Sequence, residues 1–126
     1  MKITSFNPMI ITSKADDLIS LFEALGFASS HQKEDIDDRT DKSVRMKDEN
    51  GFHVDIAQVD VIPQDLTTIR MNVRNFDEAY KLLCDHGFMI VQGGKITETG
   101  SSRSVMMVSP SGTAINLNYH YRDEDV

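Results

Sequence analysis

The chain repeats its own pattern at a spacing of 61 residues. The segment "DDLISLFEALGF" at 16–27 lies over "DEAYKLLCDHGF" at 77–88. Chance gives an identical pair at roughly one position in twenty, so the identities alone are weak support. The register also preserves the type of predicted element throughout, which indicates two similar halves. The identical pairs are Asp16 and Asp77, Leu21 and Leu82, Gly26 and Gly87, Phe27 and Phe88, Val44 and Val105, Met46 and Met107, and Gly51 and Gly112.

Each half predicts a strand, a helix and then three strands. The first strands are "SFNPMIIT" and "LTTIRMNV", and each half ends in a hairpin, "SVRMKDENGFHVDIAQV" or "RSVMMVSPSGTAINLNYH". Ser13 and Asn75 are the predicted N-caps, and Gly26 and Gly87 are the expected helix ends. The apolar residues at helical spacing are Ala15, Leu18, Leu21, Phe22 and Leu25 in the first helix, and Phe76, Ala79, Leu82 and Leu83 in the second.

Strand alternation predicts which side chains point away from the helices. Successive strand residues face opposite sides of a sheet, so one set should pack under the helix and the other should line an open face. The open face would combine apolar residues with a few hydrogen-bonding groups, the mixture typical of a small-molecule pocket. The ligand-binding candidates on it are Asn7, Met9, Arg45, His53, Asp55, Thr68, Arg70, Asn72, Asn116 and Asn118.

Several of these candidates have two interpretations. Arg70 could bind a ligand carboxylate or phosphate through two hydrogen bonds, or it could pair with Asp55. Asp55 could act as a general base or belong to a structural ion pair. His53 could transfer protons near neutral pH or serve as a hydrogen-bonded sheet residue. The segment 92–104 could be a flap over the face or an ordinary hairpin connection.

The composition of the chain disfavours several functional classes of protein. The net charge of −7, with no basic face apparent, disfavours a nucleic-acid binder. No apolar run is long enough for a membrane span, and no basic segment leads into an apolar stretch as in a secretory signal. Cys84 is the single cysteine, which excludes an internal disulfide and fits a reducing compartment. We therefore expect a cytoplasmic protein that contacts neither nucleic acid nor membrane.

Three stretches resemble the vicinal oxygen chelate superfamily, which includes glyoxalase I, bleomycin-resistance proteins and extradiol dioxygenases. They are "LFEALGF", the second helix ending at Gly87-Phe88, and "SPSGTAINLNY". The resemblance implies one α+β domain over residues 1–126, with module one at about 1–61 and module two at about 62–122. Each module would be βαβββ, and together they would form a curved, cupped mixed sheet with the helices on its outer face.

The resemblance also implies four places for metal ligands, one on the first and one on the last strand of each module. These places hold Asn7, Asp55, Thr68 and Asn116 in this chain. Only Asp55 is an anionic ligand, whereas a catalytic transition-metal site needs about three histidine or carboxylate ligands. His53 could join Asp55 if a divalent metal were bound. We therefore expect no cofactor.

The sequence leaves three functions open, and it does not decide whether the chain is an enzyme. The favoured hypothesis is a metal-independent, bleomycin-resistance-like protein that binds a small organic molecule in a sheet cavity. The alternative is a glyoxalase-type lyase or dioxygenase whose metal is held by Asp55 and a nearby histidine. A third is an interaction module. Open sheet edges are usually covered, so we also expect a homodimer.

Overall fold

A computed structural model describes residues 1–34 and 42–121, apart from the side chains of residues 30–34 and 42. The chain divides into two compact units. The first comprises Asn7–Thr67, and the second comprises Met1–Phe6 with Thr68–Val126. Each unit corresponds closely to one predicted module, and we call them module one and module two.

Module one has the element order strand, helix and three strands. Its elements are β1 (Ile3–Thr12), α1 (Ala15–Ala24), β2 (Ala28–Glu34), β3 (Lys42–Lys47) and β4 (His53–Gln58). The sheet order is β2-β3-β4-β1. β1 lies parallel to β4, and the other pairs are antiparallel. The turn before β4 is closed by Asp48, whose side chain accepts hydrogen bonds from the backbone N–H groups of Asn50 and Phe52.

The core of module one lies between α1 and one face of its sheet. Val44 and Met46 of β3 and Val54 and Ile56 of β4 are buried against Ala15. The residues between them, at alternate strand positions, therefore face away from α1. This places Asp55 on the face opposite the helix.

The N-terminus of α1 is capped from a distant strand. The N-cap residue is Lys14, which makes no side-chain capping bond, so the prediction of a Ser13 cap is wrong. Gln58 of β4 accepts a hydrogen bond from the Ala15 backbone N–H at 2.9 Å and donates to the Ser13 carbonyl at 2.9 Å. A strand side chain thus satisfies a helix-end donor that would otherwise lack a partner.

Module two repeats this order with one additional short strand. Its elements are β5 (Leu66–Val73), α2 (Phe76–Asp85), β6 (Met89–Ile90), β7 (Thr97–Glu98), β8 (Ser102–Val108) and β9 (Ala114–His120). The sheet order is β5-β9-β8-β6, and β7 also pairs with β8. β5 lies parallel to β9, and the other pairs are antiparallel. Segment 92–104 thus contains a strand and part of a hairpin.

The core of module two matches that of module one. Val73, Val105, Met107 and Leu117 are buried beneath Phe76 and Ala79 of α2. Asn75 caps this helix as predicted, since its side chain accepts from the Glu78 backbone N–H at 3.0 Å. Both helices end at a glycine with positive φ, 105° at Gly26 and 92° at Gly87, a conformation that costs glycine little.

The predicted class, α+β with two βαβββ modules, is confirmed. In the described part of the chain, neither helix has the length and apolar character needed to cross a membrane.

Candidate functional site

Asp55 is the most enclosed acid among the described side chains of module one. It lies in the middle of β4, and only 1% of its surface is exposed. The register places it beside Met9 of β1 and directly opposite Arg45 of β3. All three side chains therefore share the face that points away from α1.

Arg45 and Asn7 bind both oxygens of the Asp55 carboxylate. Arg45 Nε lies 2.9 Å from Oδ1, and Arg45 Nη2 lies 3.1 Å from Oδ2. Asn7 Nδ2 donates to Oδ2 at 2.9 Å. A two-point guanidinium–carboxylate contact fixes geometry and compensates charge, so these three residues form a rigid ionic group that we call the Asp55 cluster.

The four places that would hold metal ligands in a metal-dependent member do not fit a divalent metal ion here. Asn7 directs its N–H donor at Asp55, and Asp55 directs its oxygens at N–H donors. Thr68 and Asn116 are neutral and are weak ligands for transition metals. Across residues 1–34 and 42–121, no three histidine, cysteine or acidic side chains come together in a way that could hold an ion.

The two remaining candidates of module one have different surroundings. Met9 is buried beside Asp55, with 6% of its surface exposed. His53 begins β4, half-buried and opposite Lys47 at the edge of the strand pair. The structure therefore brings Asn7, Met9, Arg45 and Asp55 together, with His53 two residues further along the same face.

Module two carries two rows of mainly polar side chains across its open face. One row runs from Arg70 through Asn116 to Met106 of β8. The other row runs from Asn72 through Asn118 to Ser104. The residues between these rows, among them Met71 and Leu117, lie in the core beneath α2, so both rows face away from the helix. Thr68 lies on the same face of β5 and is also buried.

The asparagines of these rows differ in their hydrogen bonding. Asn118 Nδ2 donates to Asn116 Oδ1 at 2.6 Å and to the Asn116 carbonyl at 3.1 Å. Asn72 has 6% of its surface exposed, and its Oδ1 is enclosed without a hydrogen-bond partner among the described residues. A buried acceptor in that state costs about 1–3 kcal/mol, so it calls for a physical explanation.

Arg74 is a residue that the sequence interpretation did not include. It follows the last residue of β5, in the bend before α2, and its backbone N–H donates to the Lys2 carbonyl at 2.9 Å. Its Nε is enclosed and has no hydrogen-bond partner among the described residues. Arg74 lies between the strand β5 and the helix cap Asn75, where neither strand nor helix periodicity applies, so no pattern in the sequence singled it out.

Solved structures share this fold at low sequence identity. One is a glyoxalase/bleomycin resistance protein/dioxygenase superfamily member from Vibrio splendidus 12B01, with a TM-score of 0.61 and 14% identity over 94% of this chain and 99% of that one. Another is methylmalonyl-CoA epimerase from Mycobacterium tuberculosis, with a TM-score of 0.69 and 14% identity over 98% and 92%. A glyoxalase I mutant from Zea mays gives a TM-score of 0.69 and 15% identity over 94% of this chain and 44% of that one.

No protein-family profile matches the sequence, and no curated protein matches it either. The structural matches therefore define the fold, which is that of the vicinal oxygen chelate proteins, as the resemblance in the sequence predicts. Because one such scaffold supports several chemistries, function has to be argued from the side chains.

Proposed function

We propose that this protein binds a small organic molecule without a metal ion, on the open face of module two. The observation that supports this is the enclosed Oδ1 of Asn72, an acceptor with no hydrogen-bond partner among the described residues. A ligand hydroxyl or N–H placed against this oxygen would supply the missing bond. The bond to the ligand would then offset the free-energy cost of burying this oxygen, and the oxygen would help to select the ligand.

The surroundings of Asn72 fit a small-molecule site. Asn118 and Asn116 bind each other, so they form a fixed polar wall beside Asn72. Met106 and Ala114, on the same face, are only partly buried and offer apolar contact. A small number of fixed polar groups on an otherwise apolar surface is typical of ligand pockets.

Module one contributes rigidity in this proposal. The hydrogen bonds within the Asp55 cluster engage both oxygens of the carboxylate, so Asn7, Arg45 and Asp55 stabilise the sheet. Thr68 and Arg70 are proposed as further ligand contacts on the open face of module two, whereas Met9 and His53 stay candidates on the open face of module one alone. The matched structures include an epimerase named for methylmalonyl-CoA, an organic compound, which supports ligand binding on this fold.

The alternative function is a metal-dependent lyase or dioxygenase that uses Asp55 and His53. In such an enzyme the metal ion would have to compete with Arg45 and Asn7 for the Asp55 oxygens, and Asp55 and His53 together fall short of the three ligands that a catalytic site needs. The donor set therefore supports binding without metal.

A thermal-shift screen of small organic compounds, run with and without EDTA, tests the proposal. A ligand present at a hundred times its Kd stabilises the folded chain by about 2.7 kcal/mol. We expect the melting temperature to rise by the same amount in both conditions. Ligands that act only after Zn²⁺, Ni²⁺ or Co²⁺ is added would support the enzyme alternative, and a screen without hits would contradict binding altogether.

We also propose that the protein is a cytoplasmic homodimer. Large apolar side chains of module one are exposed, with 67% of Phe52 and 86% of Val61 accessible. A second copy covering such residues would remove apolar surface from water. Light scattering at micromolar concentration should give twice the chain mass of 14.2 kDa. A monomer mass would contradict this proposal.

A further inference from the structure

We infer that the ligand is a small carboxylic acid with an uncharged hydroxyl or amide N–H close to its carboxylate. The inference rests on the proposed function and adds the chemical class. Asn72 Oδ1 would accept from the uncharged donor, and Arg74 would bind the carboxylate. Neither residue belongs to the four metal-ligand places of the superfamily.

The first step concerns the kind of group that Asn72 requires. Its enclosed Oδ1 can only accept, so the ligand must donate. A ligand ether, ketone or second carboxylate would place one acceptor against another. The neighbouring amide, Asn118 Nδ2, is already engaged by Asn116, so it does not supply the donor from within the protein.

The second step concerns charge. Arg74 is a cation whose Nε is enclosed without a hydrogen-bond partner among the described residues. The adjacent acid of α2, Asp77, is bound by Arg103 at 3.2 Å. A carboxylate supplied by the ligand would form the charge-assisted bond that arginine favours.

The third step concerns spacing. Arg74 comes two residues after Asn72, and two residues of extended chain span at most roughly 7 Å, so a small ligand could reach both side chains. The arginine side chain is long and flexible. Arg74 can therefore reach a carboxylate on the ligand atom next to the one whose hydroxyl or N–H donates to Asn72. An ammonium donor is disfavoured because it would lie close to the guanidinium of Arg74.

The test compares three related probes by calorimetric titration. Mandelate carries a hydroxyl, a carboxylate and an apolar ring; phenylacetate lacks the hydroxyl, and mandelamide lacks the charge. We expect mandelate to bind about tenfold more tightly than phenylacetate, the ratio that one hydrogen bond of about 1.4 kcal/mol provides. Mandelamide and phenylglycine, which replaces the hydroxyl by an ammonium, should also bind more weakly than mandelate.

Variants assign each preference to a residue. Asn72→Leu should remove the preference for mandelate over phenylacetate, and Arg74→Gln should remove the preference for mandelate over mandelamide. Arg103→Gln is the matched control, because Arg103 of the same module contacts Asp77 and Glu98 instead. That variant should retain both preferences.

Three outcomes would overturn the inference, and they separate it from the proposed function. If only neutral compounds bind, with a loss of affinity in Asn72→Leu, the proposed function stands and the acid class is wrong. If inorganic phosphate binds as tightly as mandelate, with dependence on Arg74 alone, the face holds an anion without recognising a donor. If neither these probes nor any screened compound binds, both the inference and the proposed function fail.

Discussion

Arg45 holds Asp55 through both carboxylate oxygens, with Nε 2.9 Å from Oδ1 and Nη2 3.1 Å from Oδ2. The carboxylate has 1% of its surface exposed, whereas the arginine side chain retains 25%. The pair thus places a nearly inaccessible negative charge at one of the four places that the sequence resemblance assigns to metal ligands. Its energetic role can be measured directly.

Loss of Arg45 should destabilise the fold strongly. Arg45→Met leaves Asp55 buried without its cation, and breaking a buried pair costs about 3–5 kcal/mol. Urea unfolding at neutral pH should show a loss of unfolding free energy near the lower end of this range, since Arg45 is partly exposed. The double variant Arg45→Met/Asp55→Leu should recover most of that loss, because an apolar pair removes the uncompensated charge.

The control for this cycle is Arg103→Met. Arg103 pairs with the exposed residues Asp77 and Glu98, and exposed pairs contribute about 1 kcal/mol or less. If Arg45→Met costs no more than this control, the Asp55 cluster does not carry the structural role assigned to it.

Replacing Asn72 should stabilise the ligand-free protein. Asn72→Leu removes an enclosed oxygen without a hydrogen-bond partner among the described residues and keeps a similar volume, so the free energy of unfolding should rise by about 1 kcal/mol. Asn118→Leu is the matched variant on the neighbouring strand. It breaks the 2.6 Å bond to Asn116 and should lower stability by about 1–2 kcal/mol. Equal losses in both variants would show that Asn72 is satisfied in the folded chain.

Removing each of the two helix caps should lower the free energy of unfolding by a different amount. Asn75→Ala removes one local capping bond and should cost about 1 kcal/mol by chemical denaturation. Gln58→Ala removes the bond from Ala15 and leaves the Ser13 and Val59 carbonyls without their side-chain donor. We expect the Gln58 variant to lose roughly twice as much. A smaller loss than for Asn75→Ala would show that water replaces this distant cap.

The contact between Glu98 and Tyr121 should depend on pH. The Tyr121 phenol donates to the Glu98 carboxylate at 2.5 Å, and Arg103 donates to it at 3.0 Å. These bonds, with Tyr121 as the larger cause, lower the pKa of Glu98 below its ordinary 4.5. The same bond is the main cause that raises the pKa of Tyr121 above 10.0.

The signs of these two shifts define a pH window. A lowered carboxyl pKa contributes stability that is complete above 4.5 and is lost as the pH falls through the folded value. A raised phenol pKa contributes stability that is complete below 10.0 and is lost as the pH rises through the folded value. In an NMR titration, Tyr121→Phe should move the pKa of Glu98 towards 4.5, and Arg103→Gln should move it in the same direction. An unchanged pKa in Tyr121→Phe would contradict the assignment.

Strand alternation was enough to predict the two faces of each sheet. β3 and β4 pair without a register shift, as do β5 and β9, so the parity counted along the sequence holds in space. Asp55 and Asn116 consequently lie on the faces opposite the helices. Whether the predicted residues bind a ligand stays a prediction.

The ion-pair partner of Asp55 could have been predicted from the sequence. A hairpin that turns through "DENG" pairs Lys47 with His53 and therefore sets Arg45 opposite Asp55. The sequence interpretation considered Arg70 as the partner and did not follow this register. Cross-strand pairing of opposite charges makes the Arg45 contact the natural expectation.

Other features depend on tertiary packing and lie beyond a single-sequence interpretation. Gln58 caps α1 from 43 residues away. Leu21 and Leu25, which belong to the predicted apolar stripe, are 49% and 62% exposed, whereas Ile19 packs against the core. The helix is rotated relative to the predicted stripe because the sheet beneath it determines which residues are covered.

The most direct test of binding without metal is a calorimetric titration of the strongest ligand from the screen into chelator-treated protein. The wild-type chain should bind the ligand with full affinity in EDTA, and Asn72→Leu should bind it about tenfold more weakly, the effect of one lost hydrogen bond. Binding that appears only after a divalent metal ion is added, or that is unchanged in Asn72→Leu, would contradict the account.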